Sequence, residues 1–142
     1  MASEAEEISV RPARVSDVPE IELLIAPHVA RRVLLPRSSE ELRDLIRNGF
    51  VAERAGELVG FAAVDIYSKK LAELQCLAVS DIHQRAGVGR RLVRACVDCA
   101  RAHDVQELMA ITAAEQFFEG CGFHFALPDQ KKALFIQTRA SE

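Results

Sequence analysis

No apolar run in this chain reaches the length of a membrane span, so a bilayer-crossing helix is not expected. The opening residues, MASEAEEI, are acidic and lack the apolar core of a signal peptide, which points to a cytoplasmic protein. Positive charge is not in excess. Eighteen Lys and Arg against 21 Asp and Glu give a formal charge of −3, which argues against nucleic acid as the main partner. Cysteine is scarce and poorly placed for chemistry. Cys96 and Cys99 sit three apart inside a helical pattern, with no second pair and no helix N-terminus to stabilise a thiolate. Core packing is therefore favoured over a redox or metal pair, and no metal is expected. Cys76 falls in a strand and Cys121 in a turn, so a disulfide framework is not expected either. Repeats, low-complexity tracts and Pro/Gly/Ser linkers are all missing. The 142 residues suit one domain, residues 1–142, with 1–6 expected to be disordered. What remains, 49% apolar and 27% charged, is the composition of a globular domain.

The chain is organised around Leu71 to Val93, LAELQCLAVSDIHQRAGVGRRLV. Its first half is a near-continuous apolar run interrupted by Glu73 and Gln75, which reads as a strand covered on both faces. Its second half passes through Gln84-Arg85-Ala86-Gly87-Val88-Gly89 into an amphipathic helix. Two glycines one residue apart let backbone amides crowd toward a ligand, and a helix N-terminus there makes an anion site. Arg85, Arg90 and Arg91 add charge beside it. The loop lacks the third glycine of a dinucleotide fingerprint and the Gly-Lys-Ser/Thr ending of a P-loop, so a diphosphate cradle and a plain tight turn both remain open.

The rest of the chain alternates strands and helices. Ile8 to Ala13 reads as a strand, and Ser16-Asp17 as the cap of a helix with Pro19 in its first turn and Ile21, Leu24, Ile25 and Val29 on one face. Ser38 or Ser39 caps a second helix striped by Leu42, Leu45 and Ile46. Phe50–Arg54 and Glu57–Ile66 form a hairpin about Ala55-Gly56. After the helix from Gly87 to about His103 come a fifth strand at Leu108–Thr112, a short helix at Ala114–Glu119 and a turn at Cys121-Gly122-Phe123. Strands near His124–Leu127 and Ala133–Thr138 close the chain.

Gln-x-x-Gly-x-Gly after a strand reading Ala-Glu-Leu-x-x-Leu-Ala-Val resembles the acetyl-CoA signature of the GNAT acetyltransferase superfamily. The resemblance covers nearly the whole chain. It implies the GNAT α/β fold, a mixed and mostly antiparallel sheet of about seven strands flanked by helices, with acetyl-CoA as co-substrate. It places the pantetheine arm along Leu77, Ala78 and Val79, and the pyrophosphate at Gln84, Arg85, Ala86, Gly87, Val88, Gly89 and Arg90. A backbone N–H at Leu77 or its neighbours would hold the thioester oxygen. Glu73 stands at the position of the carboxylate base in several such enzymes; partial burial would raise its pKa toward neutrality, and the alternative is an edge or ion-paired Glu, with Lys70 as its partner. Phe117-Phe118-Glu119-Gly120-Cys121-Gly122-Phe123 is similar to a family segment whose tyrosine often protonates coenzyme A thiolate. Phe118 occupies that position and cannot donate a proton. The single tyrosine, Tyr67, reads as a pocket-wall residue, and no general acid is assigned.

A narrower resemblance bears on the substrate. Leu34-Leu35-Pro36-Arg37-Ser38, Tyr67-Ser68-Lys69-Lys70-Leu71-Ala72-Glu73-Leu74, and Leu127-Pro128-Asp129-Gln130-Lys131-Lys132 with Arg139 and Ser141 look like the acetyltransferase domain of bacterial N-acetylglutamate synthases. The resemblance implies that Arg37, Lys70, Arg139 and Ser141 hold the carboxylates of L-glutamate, with Lys131, Lys132 and Arg32 as weaker candidates. Several cations suit a dianionic ligand, and an arginine fork grips a carboxylate with two bonds. Scattered surface charge is the alternative. Those synthases also carry an amino-acid-kinase domain that senses arginine, for which this chain has no room; a stand-alone catalyst is expected, and a homodimer is compatible with it. Another amine, a protein N-terminus, or a non-catalytic acetyl-CoA sensor remain the competing readings.

Overall fold

A computed structural model describes residues 7–84, 86–124, 134 and 136–138. Five strands form one sheet in the order β1-β2-β3-β4-β5, with β1 Ile8–Pro12, β2 Gly49–Arg54, β3 Glu57–Ile66, β4 Leu71–Val79 and β5 Glu107–Met109. Neighbours from β1 to β4 are antiparallel, whereas β4 and β5 are parallel. Helices α1 (Val18–Ala30) and α2 (Ser39–Leu45) cover one face, and α3 (Val88–Ala102) and α4 (Glu115–Gly120) cover the other. The sheet count differs from the expected seven. The two missing strands fall on 124–127 and 133–138; residues 124, 134 and 136–138 take no strand, and the others lie outside the described residues, as do residues 1–6. No helix among the described residues is long and apolar enough to cross a membrane.

The hairpin forms as expected, because Ala55 (φ 53°) and Gly56 (φ 77°) both take the left-handed backbone that a two-residue turn requires. Ser38 caps α2, accepting from Glu41 N–H at 3.1 Å while the Glu41 carboxylate accepts from Ser38 N–H. Three expectations are corrected. β4 is covered on both faces only in its second half: buried and half-buried residues alternate along it, with Cys76 and Ala78 under α1 and α2 and Leu77 and Val79 on the α3 side, and β3 is the strand with a continuous buried run. β5 is shorter and begins one residue earlier than the apolar pattern suggested, because its parallel register is set by Leu71 opposite Glu107. Asp17 does not cap α1 with its side chain. It turns back to Arg11 on β1 through two bonds of 2.9 Å and accepts Arg14 N–H at 2.7 Å. The cysteines pack, as expected. All four are free, and burial, with Cys99 adjacent, pushes the Cys96 thiol up to about 12.

The Arg11–Asp17 pair is mostly buried, and the Arg11 bonds hold the Asp17 carboxyl below its usual range. A carboxyl depressed in the folded state contributes stability above its unfolded pKa and loses that contribution as pH falls through it. Asp17→Asn should therefore lower the unfolding free energy by about 1–3 kcal/mol at pH 7, and by progressively less near and below pH 4. Urea titrations at both pH values check this; an equal loss at both would contradict the ion pair as its source.

Candidate active site

The N-terminus of α3 is pressed against the end of β4 because of one glycine. A Cβ on Gly60 would lie 2.8 Å from Leu92 Cδ1 and 3.0 Å from Val88 Cγ1, so only glycine admits the helix at this depth. Gly60 is also the register partner of Val79, the last residue of β4. Gly87 caps α3 with φ 80°, a left-handed conformation that side chains disfavour. A Cβ there would meet no atom within 4 Å, so the space over the helix end is open to a ligand. By helix geometry the amides of Val88, Gly89 and Arg90 find no acceptor inside α3, whereas Arg91 N–H reaches Gly87 O at 3.1 Å. Amides converging at the positive end of a helix suit a diphosphate, so the cradle fits the pyrophosphate of acetyl-CoA.

Not every loop residue serves the cradle directly. Ala86 spends its N–H on His83 O at 3.3 Å, and Arg85 lies outside the described residues. Gly89 answers a packing demand, since a Cβ would come within 3.2 Å of Phe117 Cζ. The Arg90 guanidinium ties α3 to α4 through Gly120 O at 2.9 Å, leaving its backbone N–H to the helix end. Gln84 braces the loop, its amide donating to Val79 O (3.4 Å) and Asp81 Oδ1 (3.3 Å). Asp81 is gripped by Arg31, the residue that follows α1, at 3.0 and 3.1 Å.

Along β4 the sheet opens. Pairing with β5 covers only Leu71, Ala72 and Glu73; beyond Glu73 the far side of β4 has no strand partner among the described residues. A bulge follows at once. Ala63 pairs with Gln75 and Phe61 with Ala78, so Cys76 and Leu77 together oppose Ala62. Cys76 takes φ 62°, a conformation costing a non-glycine residue about 1–2 kcal/mol. The bulge switches faces: Leu74 packs toward α3, while Cys76 and Ala78 join the core under α1 and α2. Leu77, the expected oxyanion donor, stands on this bulge, and Leu77 and Val79 pack on the α3 side.

Glu73 lies just before the opening, and the residues around it were not legible as partners. Tyr67 OH donates to Glu73 Oε1. Gln75 Nε2 donates to the same oxygen at 3.2 Å, and lies 3.3 Å from both the Tyr67 hydroxyl oxygen and Asp65 Oδ2. Asp65 is the register partner of Glu73 across β3–β4. Burial and the adjacent Glu73 carboxylate raise the Tyr67 phenol to about 12. No ion pair joins Lys70 to Glu73 among the described residues. The signal available in sequence was alternation: once the hairpin register is fixed, Asp65, Glu73 and Gln75 share a face.

Gln75 and Asp65 also line a cleft of about 400 Å³ with Arg37, Glu41, Asp44 and Arg47. Arg37 donates to Leu35 O at 3.1 Å, and its charge reaches Cys76, pulling down a thiol that burial pushes up. Arg37 thus shares a cleft with Gln75, the residue that donates to Glu73. Lys70 is exposed in the β3–β4 turn, its N–H bonded to Ser68 Oγ at 3.1 Å. Arg139, Ser141, Lys131 and Lys132 lie outside the described residues, and Arg32 is exposed in the turn after α1.

The acetyltransferase (GNAT) domain family matches residues 46–125, which span β2 through α4. An N-acetyltransferase of Chlorobaculum tepidum is 32% identical over 119 residues, covering 84% of this chain and 77% of its own length. The amino-acid acetyltransferase of Neisseria meningitidis is 35% identical over 87% of this chain, which spans only 29% of that relative's length. Among solved structures, N-acetylglutamate synthase from Neisseria gonorrhoeae complexed with coenzyme A and N-acetyl-glutamate is 35% identical, with a TM-score of 0.74 over 80% of this chain and 28% of its own. Rv2747 from Mycobacterium tuberculosis, solved with CoA, is 29% identical with a TM-score of 0.77 over 86% of this chain and 76% of its own. With the open glycine cap, the bulged and half-unpaired β4, and these relatives, the chain belongs to the GNAT family of acetyl-CoA-dependent N-acetyltransferases.

Proposed function

We propose that this domain suffices to transfer acetyl from acetyl-CoA to the α-amine of L-glutamate, a cytoplasmic reaction whose product feeds arginine biosynthesis. The observation that carries the reading is Arg37, a cation lining the same cleft as Gln75, whose amide donates to Glu73. Its support from relatives is the group of amino-acid acetyltransferases that match most of this chain, although the chain spans about a third of their length. In the reaction Glu73 takes a proton from the amine as nitrogen bonds to the acetyl carbon. The carbon–sulfur bond breaks, and the departing thiolate takes its proton from water, since Phe118 offers none. The Leu77 N–H on the bulge would receive the developing oxyanion. Arg37, Lys70 and Arg139 would pair with the two carboxylates, and Ser141 would add a hydrogen bond. A homodimer is compatible with this arrangement.

One observation favours a second reading. Against Arg37 and Arg47 the cleft sets Glu41, Asp44 and Asp65, so its walls suit an amine carrying a further cation as well as they suit an acid. Glutamate and glutamine side by side decide between them. A site that pairs both carboxylates leaves a cation unpaired when one becomes an amide, so kcat/KM should fall about 10²-fold or more for glutamine. Arg37→Ala should raise the glutamate KM far more than it changes acetyl-CoA binding. Equal rates with the two amino acids would remove glutamate and leave an acetyltransferase for another amine.

A further inference from the structure

We infer that Tyr67 and Gln75 are positioning residues for Glu73: both donate to Oε1, fixing the carboxylate and leaving Oε2 as the atom that takes the proton. The inference rests on Glu73 acting as the base. Glu73 is anchored on a sheet strand, and its Oε1 accepts from the Tyr67 hydroxyl and from Gln75 Nε2 at 3.2 Å, while Oε2 has no hydrogen bond among the described residues. Gln75 has two N–H donors and three acceptors in reach, so one of its bonds is shared. Its amide also stands between two carboxylates. Asp65 faces Glu73 directly across the strands, and like charges so placed repel unless a donor bridges them.

Lys69 and Lys70 precede Glu73 in the β3–β4 turn, and Arg37 lines the cleft shared with Gln75. None of these donates a hydrogen bond to Glu73 among the described residues, so the two neutral donors set its orientation. Tyr67 is unsuited to the part of general acid. Its phenol, held at about 12, is a poor proton source for a thiolate that ionises at about 8.5. Its hydroxyl therefore stays protonated and acts through Glu73.

Tyr67→Phe and Gln75→Met keep size and drop the donors. In each, kcat should fall while the KM for the amine stays within about threefold of wild type, a split that a general loss of structure would not give. At pH 7 kcat should fall roughly 3- to 30-fold, with acetyl-CoA affinity within about twofold of wild type and unchanged melting. Glu73→Gln is measured in parallel to separate the two claims. If Glu73→Gln is inactive while both other variants keep the wild-type kcat, the positioning inference is overturned and the base stands. If Glu73→Gln keeps the wild-type rate, the base reading fails and this inference fails with it.

Discussion

Glu73→Gln should lower turnover about 10²–10⁴-fold while leaving acetyl-CoA affinity close to wild type. The amide keeps the shape of the side chain and can still accept from Tyr67 OH and Gln75 Nε2 through one oxygen, so the local structure has no reason to rearrange. It cannot take a proton from an amine. The cradle is at the other end of β4, beyond the bulge, so the donor's phosphates should not sense the change. Steady-state kcat beside calorimetric acetyl-CoA titration separates these effects. Activity within about twofold of wild type at pH 7–8 would mean that Glu73 is structural and that water removes the proton.

Gly87→Val should weaken acetyl-CoA binding by about 10²-fold or more, since several charge-assisted bonds from backbone amides to one anion are lost together. A Cβ here meets no protein atom within 4 Å, so the side chain would extend into the open space that the diphosphate needs. Backbone strain complicates a single mutant, because φ is 80° at this position. Gly56 supplies the control. It has φ 77° and equally open surroundings, but sits in the β2–β3 turn, so Gly56→Val incurs comparable strain of about 1–3 kcal/mol away from the cradle. Weak binding in Gly87→Val with normal binding in Gly56→Val is the expected pair of results. Loss in both would assign the effect to strain, and loss in neither would contradict the cradle.

The elements with strong local signals were legible in the sequence. The hairpin, α2 with its Ser38 cap, β4 and α3 fall within about two residues of their expected bounds, because turn chemistry, capping and periodicity act over a few neighbours. The Gly87 cap was legible as a glycine pair but not as two different demands: Gly87 serves backbone conformation and open space, whereas Gly89 makes room for Phe117, which is 28 residues away in the chain. What failed to read was set by long-range register. Asp17 looks like a helix cap until Arg11 on the adjacent strand claims it. The bulge at Cys76 has no glycine to announce it, and it decides which face Leu77 takes. Tyr67 reads as a wall residue because its bond to Glu73 spans a turn whose geometry no local preference fixes.

The most direct test supplies the chain with acetyl-CoA and L-glutamate alone, follows free thiol, and identifies the product by mass. Thiol release should depend on glutamate, with one equivalent of N-acetylglutamate formed per thiol. Release no faster with glutamate than in the absence of any amine, while another amine is acetylated, would contradict glutamate as the acceptor.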